Sequence, residues 1–86
     1  MGKYSKLREK ILAGSADSNI EFAMVCQLLV RLGFEERVKG GHHIFARNDV
    51  DEIINLQSKS GKAKAYQVKQ IRNILLKYRL GEKNVD

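Results

Sequence analysis

The chain's only two histidines, His42 and His43, stand side by side, after Gly40 and Gly41 and before Ile44 and Phe45. Glycine lets a backbone approach a ligand closely and exposes the side chain that follows. An imidazole has an unperturbed pKa of roughly 6.5, so it can both take and give a proton near neutral pH. Lysine and arginine nearby would hold a phosphate and stabilise developing negative charge. Together these groups suffice for cutting RNA: the histidine takes the proton of a ribose 2′-hydroxyl, that oxygen attacks the adjacent phosphate, and cations stabilise the phosphorane. DNA lacks the hydroxyl and is spared. The same residues also read as a site that binds phosphate without chemistry. A shared metal ion is disfavoured, because successive residues of a strand point to opposite faces. No further histidine exists, no cysteine is expected nearby, and zinc needs three or four ligands. Neither metal nor small-molecule cofactor is expected, and any cleavage should be metal-independent.

Net charge is +6, and its distribution says more than its total. Residues 58–79 carry Lys59, Lys62, Lys64, Lys69, Arg72, Lys77 and Arg79 and no acid. A segment of one sign is the electrostatic footprint of a polyanion partner, whereas an ordinary solvated helix face mixes signs. The candidate RNA-binding set is therefore Gly40, Gly41, Arg47, Lys59, Lys62, Lys64, Lys69 and Arg72. Tyr66 and Phe45 could stack on bases, although aromatic side chains are more often core.

These groups need a scaffold, and 86 residues allow one small domain. A helix is expected over residues 3–13, with Tyr4, Leu7 and Ile11 at helical spacing and Gly14 as its stop. Ser18 and Glu21 have capping-box spacing for a second helix, whose stripe is Phe22, Val25, Leu28, Leu29 and Leu32, ended by Gly33. The period then shortens. Phe34 and Val38 fall on one side of a first strand, "HHIFAR" is a second beyond the Gly-Gly turn, and "EIINLQ" is a third beyond Asn48 and Asp49. "SKSGKAK" reads as a basic loop. A last helix spans about Tyr66 to Leu80, with Val68, Ile71, Leu75 and Tyr78 inward and Gly81 as its end. The order α-α-β-β-β-α predicts an α+β fold, a three-stranded antiparallel sheet with helices on one face. Alternation puts Ile44 with His42 and Phe45 with His43, so whichever apolar residue faces outward brings its histidine with it. The sequence leaves that choice open. Cys26, in "FAMVCQLLVRL", reads as a small core residue.

"GFEERVKGGHHIFARNDVDEIINLQ", followed by "KAKAYQVKQIRNILLKY", resembles the HicA-type mRNA interferase toxins of bacterial toxin–antitoxin systems. Three features carry the resemblance, over about residues 22–80: a helix ending in Leu-Gly-Phe, a Gly-Ser-His-His-like turn entering an aromatic-bearing strand, and a basic loop feeding a helix near "AYQVKQIRNIL". It implies a double-stranded-RNA-binding-domain-like fold with a core of residues 18–80, to which the helix of residues 3–13 is extra. It also implies an endoribonuclease that cleaves mRNA with a histidine and is neutralised by a HicB-type antitoxin. The motif histidine maps to His42, with His43 the alternative. Two positions depart from the family pattern: Gly41 stands where a serine is usual, and Ala65 where a proline is expected before Tyr66.

A non-catalytic RNA-binding module using the same loop and last helix is the alternative. A DNA reader is disfavoured, since a meander and not a helix-turn-helix pair precedes the last helix. A purely structural interaction partner is disfavoured by the acid-free segment. The N-terminal "MGKYSKLREK" lacks the apolar stretch of a secretory leader, no apolar run is long enough for a membrane span, and a single cysteine suits a reducing compartment. The expected location is cytoplasmic.

Overall fold

The computed structural model describes residues 2–83 and 85–86. It is an α+β fold of three helices and a four-stranded antiparallel sheet: α1 (Lys3–Ala13), α2 (Phe22–Arg31), β1 (Glu35–Lys39), β2 (His42–Arg47), β3 (Val50–Lys59), β4 (Lys62–Ala63) and α3 (Ala65–Tyr78), with the strands in the order β1-β2-β3-β4. The expected helical stripes are buried: Val25, Leu28 and Leu29 of α2 and Val68, Ile71 and Leu75 of α3 are nearly inaccessible. They close over Phe45, Ile54 and Leu56, which come from one side of the sheet. Ile53, on the other side, is exposed. One face of the sheet is thus covered and the other open.

The expectation of three strands is corrected by β4. Ser60 and Gly61 both have positive φ, 53° and 78°. That pair of left-handed residues makes a tight hairpin whose twist suits the flanking strands. What read as a flexible basic loop is therefore a hairpin in register, Ser58 opposite Ala63 and Lys59 opposite Lys62. The capping box at Ser18 and Glu21 does not form. The segment before α2 instead runs as a bridge strand along β4: the Ala63 amide donates to the Ile20 carbonyl and the Phe22 amide to that of Gly61. Helix α2 starts only at Phe22, and no side chain caps it. The last helix ends at Tyr78, with Arg79 left-handed at its C-terminus, before Gly81 is reached.

Helix α1 packs on α2 and α3. Its Leu7 and Ile11 belong to the core. Arg72 of α3 holds it there, donating to the Ile11 carbonyl (3.0 Å) and through both terminal nitrogens to Asp17 (2.9 Å each). Val85 is also buried, so the packed unit reaches past residue 80 at one end and before residue 18 at the other.

Candidate nucleic-acid interface

The site starts at the β1–β2 turn. Gly40 and Gly41 are its two central residues, and only Gly40 has positive φ, +62°. That sign pattern belongs to a type II′ hairpin turn, which needs glycine at the first position. The turn sets the register of β2, and the register decides which histidine faces which way. Phe45 is fully buried, so His43, two residues back, points to the helix side. There its ring meets Phe22 edge-on at 4.9 Å, and its Nδ1 lies 2.8 Å from Glu36 Oε2. His42 is the histidine of the open face. This resolves the choice that alternation left open.

Cross-strand partners share a face, and Lys39, His42 and Gln57 are successive partners across β1, β2 and β3. Lys64 extends the row, its Nζ 3.4 Å from Gln57 Oε1. His42 also has a diagonal partner: its Nδ1 lies 3.0 Å from Asn55 Oδ1. With the Asn55 oxygen accepting, the ring proton sits on Nδ1 and the lone pair on Nε2 is left to take a proton. Asn55 thus orients the imidazole as a general base requires. Ile53, Asn55 and Gln57 of β3, with Tyr66, Gln67 and Gln70 of α3, enclose His42 in an open groove of about 280 Å³. Buried Gln67 fixes the helix start, accepting from the Lys64 amide (3.2 Å) and donating to the Asn55 carbonyl (3.5 Å).

Gln57 and Tyr66 also line a second groove, of about 840 Å³, with Lys59, Lys62 and Lys64 along it. The two grooves therefore adjoin at Gln57 and Tyr66, and the histidine groove opens onto the lysine hairpin. Tyr66 is 66% exposed, with its ring available to a base. Lys62 donates to Asn19 Oδ1 (2.6 Å) and keeps its charge unpaired by any acid in that contact.

Not every predicted cation joins this track. Arg72 was expected to contact phosphate. Its guanidinium is instead engaged by Asp17, whose carboxyl it holds below the usual carboxylate range. Arg47 lies at the far end of β2 from His42, about 16 Å away at strand rise, where it bonds the Leu32 carbonyl (2.8 Å) and Asp49 (2.8 Å). Lys69 is exposed on α3, close enough to Asp17 to feel its charge. Lys77 pairs with Glu52 at 3.0 Å. The acid-free segment is thus partly neutralised by acids from elsewhere, and the cations that lie beside the histidine groove are Lys39 and the hairpin lysines. Asn55, Gln57, Gln70 and Lys39 escaped the sequence reading. Strand alternation across the Gly-Gly turn is the signal that would have found Lys39, whereas Gln57 lies on the next strand, beyond a register shift between Phe45 and Arg47.

The expectation that no cysteine lies near the histidines is also corrected. Helix α2 crosses the covered face of β2, and ligand atoms of Cys26, Glu36 and His43 all lie within 4.8 Å of one another. Burial, with the neighbouring Glu36 charge, pushes the Cys26 thiol up to about 11.

No protein-family model, curated protein or solved structure matches this chain.

Proposed function

We propose that the protein is a HicA-like toxin, an endoribonuclease whose fold is of the double-stranded-RNA-binding-domain type and which cleaves mRNA with His42. The observation that carries this reading is the open-face row Lys39–His42–Gln57–Lys64, with Asn55 bonded to His42 Nδ1. In the proposed reaction Nε2 takes the proton of a 2′-hydroxyl, and the oxygen attacks the adjacent phosphorus. Lys39 and Lys64 flank the phosphate and offset the phosphorane charge. The lysine hairpin and Tyr66 would hold the strand downstream, through phosphate contacts and stacking. A HicB-type antitoxin would silence the enzyme most simply by laying an acidic surface over this same track, where complementary charge also speeds association.

One observation favours the alternative, a non-catalytic RNA-binding module. Among the described residues lining the histidine groove there is no carboxylate and no second imidazole, so His42 has no partner acid there for the leaving oxygen, and water must supply that proton. Incubating the purified chain with a single-stranded RNA, and with a copy carrying one 2′-deoxy residue at the cleavage position, separates the readings. The catalytic reading predicts cleavage of the first with a 2′,3′-cyclic phosphate end, and none at the deoxy position. Binding of both without cleavage of either would establish the alternative.

A further inference from the structure

The contact of Cys26, Glu36 and His43 is a different matter from the open face. A thiol, a carboxylate and an imidazole converge from three elements, the middle of α2 and the strands β1 and β2, and their ligand atoms all lie within 4.8 Å of one another. A tetrahedral zinc shell needs its ligand atoms about 3.3–3.7 Å apart, given bonds of about 2.0–2.3 Å. The His43–Glu36 pair, at 2.8 Å, would open slightly to admit an ion between its atoms, and Cys26 would close in. Both shifts are within side-chain reach. An open cavity of about 190 Å³ reaches Cys26 and Glu36 from the α2 side, between Tyr4, Gln27, Val30 and Arg31. It gives an ion a way in and has room for the water that completes four-coordination.

We propose that Cys26, Glu36 and His43 bind one Zn²⁺ ion, with a water molecule in the fourth position. The donor set decides the metal: a thiolate with an imidazole suits zinc and disfavours magnesium or calcium, which take oxygen ligands. On binding, the Cys26 Sγ–H bond breaks, its proton passes to solvent and the sulfur lone pair forms the bond to zinc, so occupancy falls as the medium is acidified. The ion's place in the fold gives its role. Strand β1 is paired on one side only, and its residues are all exposed. Glu36 is the residue of β1 that the ion would tie to α2. A bound ion would therefore clamp the edge of the sheet, and with it the hairpin that presents His42. It lies on the opposite face from His42 and takes no part in the cleavage chemistry.

Cobalt(II) is the probe, because a cysteine thiolate bound to it gives a charge-transfer band that an exposed carboxylate or histidine site does not. Titrating the full chain with cobalt(II) should give one such band at one equivalent, displaced by zinc, with zinc also raising the melting temperature. Glu36→Gln and His43→Gln should each weaken binding by at least about tenfold. Cys26→Ser should abolish the band, and His42→Ala should leave it unaltered. Cys26 is buried and its variant can misfold, so the Glu36 and His43 variants, at side chains only partly covered, carry the test, with folding checked by circular dichroism. A folded wild-type chain without the band, or a band whose titration midpoint is unmoved in both Glu36→Gln and His43→Gln, would overturn the site.

Discussion

At the residue scale, the two adjacent histidines have unlike jobs because one turn separates their faces. The turn itself can be tested. Gly40 sits at φ +62°, where a side chain is strained however much room surrounds it. Gly41 has no such angle, and an added Cβ there would meet only Gln57 Nε2, at 3.9 Å. Gly40→Ala should therefore cost about 1–2 kcal/mol of stability. Gly41→Ala should be neutral or stabilise by about 0.4–1 kcal/mol, through the unfolded chain. Urea melts of the two variants would check this, and equal losses would mean that the turn has another conformation. The same reasoning says that Gly41→Ser would find space for its hydroxyl beside Gln57. The identity of the exposed histidine was half legible in the sequence. Alternation tied His42 to Ile44 and His43 to Phe45, but only the complete burial of Phe45 and the contact of His43 with Phe22 show which pair is inward.

At the scale of elements, the legible parts were those with a repeated period. The stripes of α2 and α3 recur over several turns, and their burial follows from that repetition. Strand β4 was missed because two paired residues leave no period to read, and Ser60 is an unusual host for a left-handed angle. The Ser18–Glu21 spacing failed because a backbone ladder with β4 outweighed a side-chain cap. Arg72 was misplaced because its partner Asp17 lies 55 residues upstream, a distance no local pattern spans. That pair makes α1 part of the structure, with a pH signature. Hydrogen bonds from Arg72 hold the Asp17 carboxyl below its ordinary range. A depressed folded-state pKa contributes stability above the unfolded value, about 3.9, and loses it as pH falls through the lower folded value. Asp17→Asn should therefore melt at a lower temperature than the wild type at pH 7, and the gap should close as pH falls below about 4. A gap of the same size at pH 7 and at pH 2 would show that charge is not what Asp17 contributes.

At the scale of the molecule, the covered face of the sheet carries the core and the open face carries the candidate chemistry. The 16 lysines and arginines against 10 acids suggest a diffuse basic surface. The ion pairs at Arg72, Arg47 and Lys77 engage three of them, and beside His42 there is a concentration of charge on Lys39 and the β3–β4 hairpin. An acidic antitoxin surface should follow that concentration. Hydrogen exchange of the chain with and without a HicB-type partner is expected to show protection at residues 40–47 and 59–66. Beyond Tyr66 it should fade toward Arg72. Protection centred on α1, with the histidine turn left open, would mean that inhibition does not work by masking the site. No helix among the described residues is long and apolar enough to cross a membrane. The central claim is that His42 on the open face, and not His43 beneath it, performs proton transfer. The most direct measurement compares the RNA cleavage rates of His42→Ala and His43→Gln with wild type, at equal RNA occupancy. The account predicts a loss of about 10²–10⁴-fold for His42→Ala, the usual scale of general acid–base catalysis, and a rate near wild type for His43→Gln. A His42→Ala variant that still cleaves at the wild-type rate, or a loss confined to His43→Gln, would contradict it.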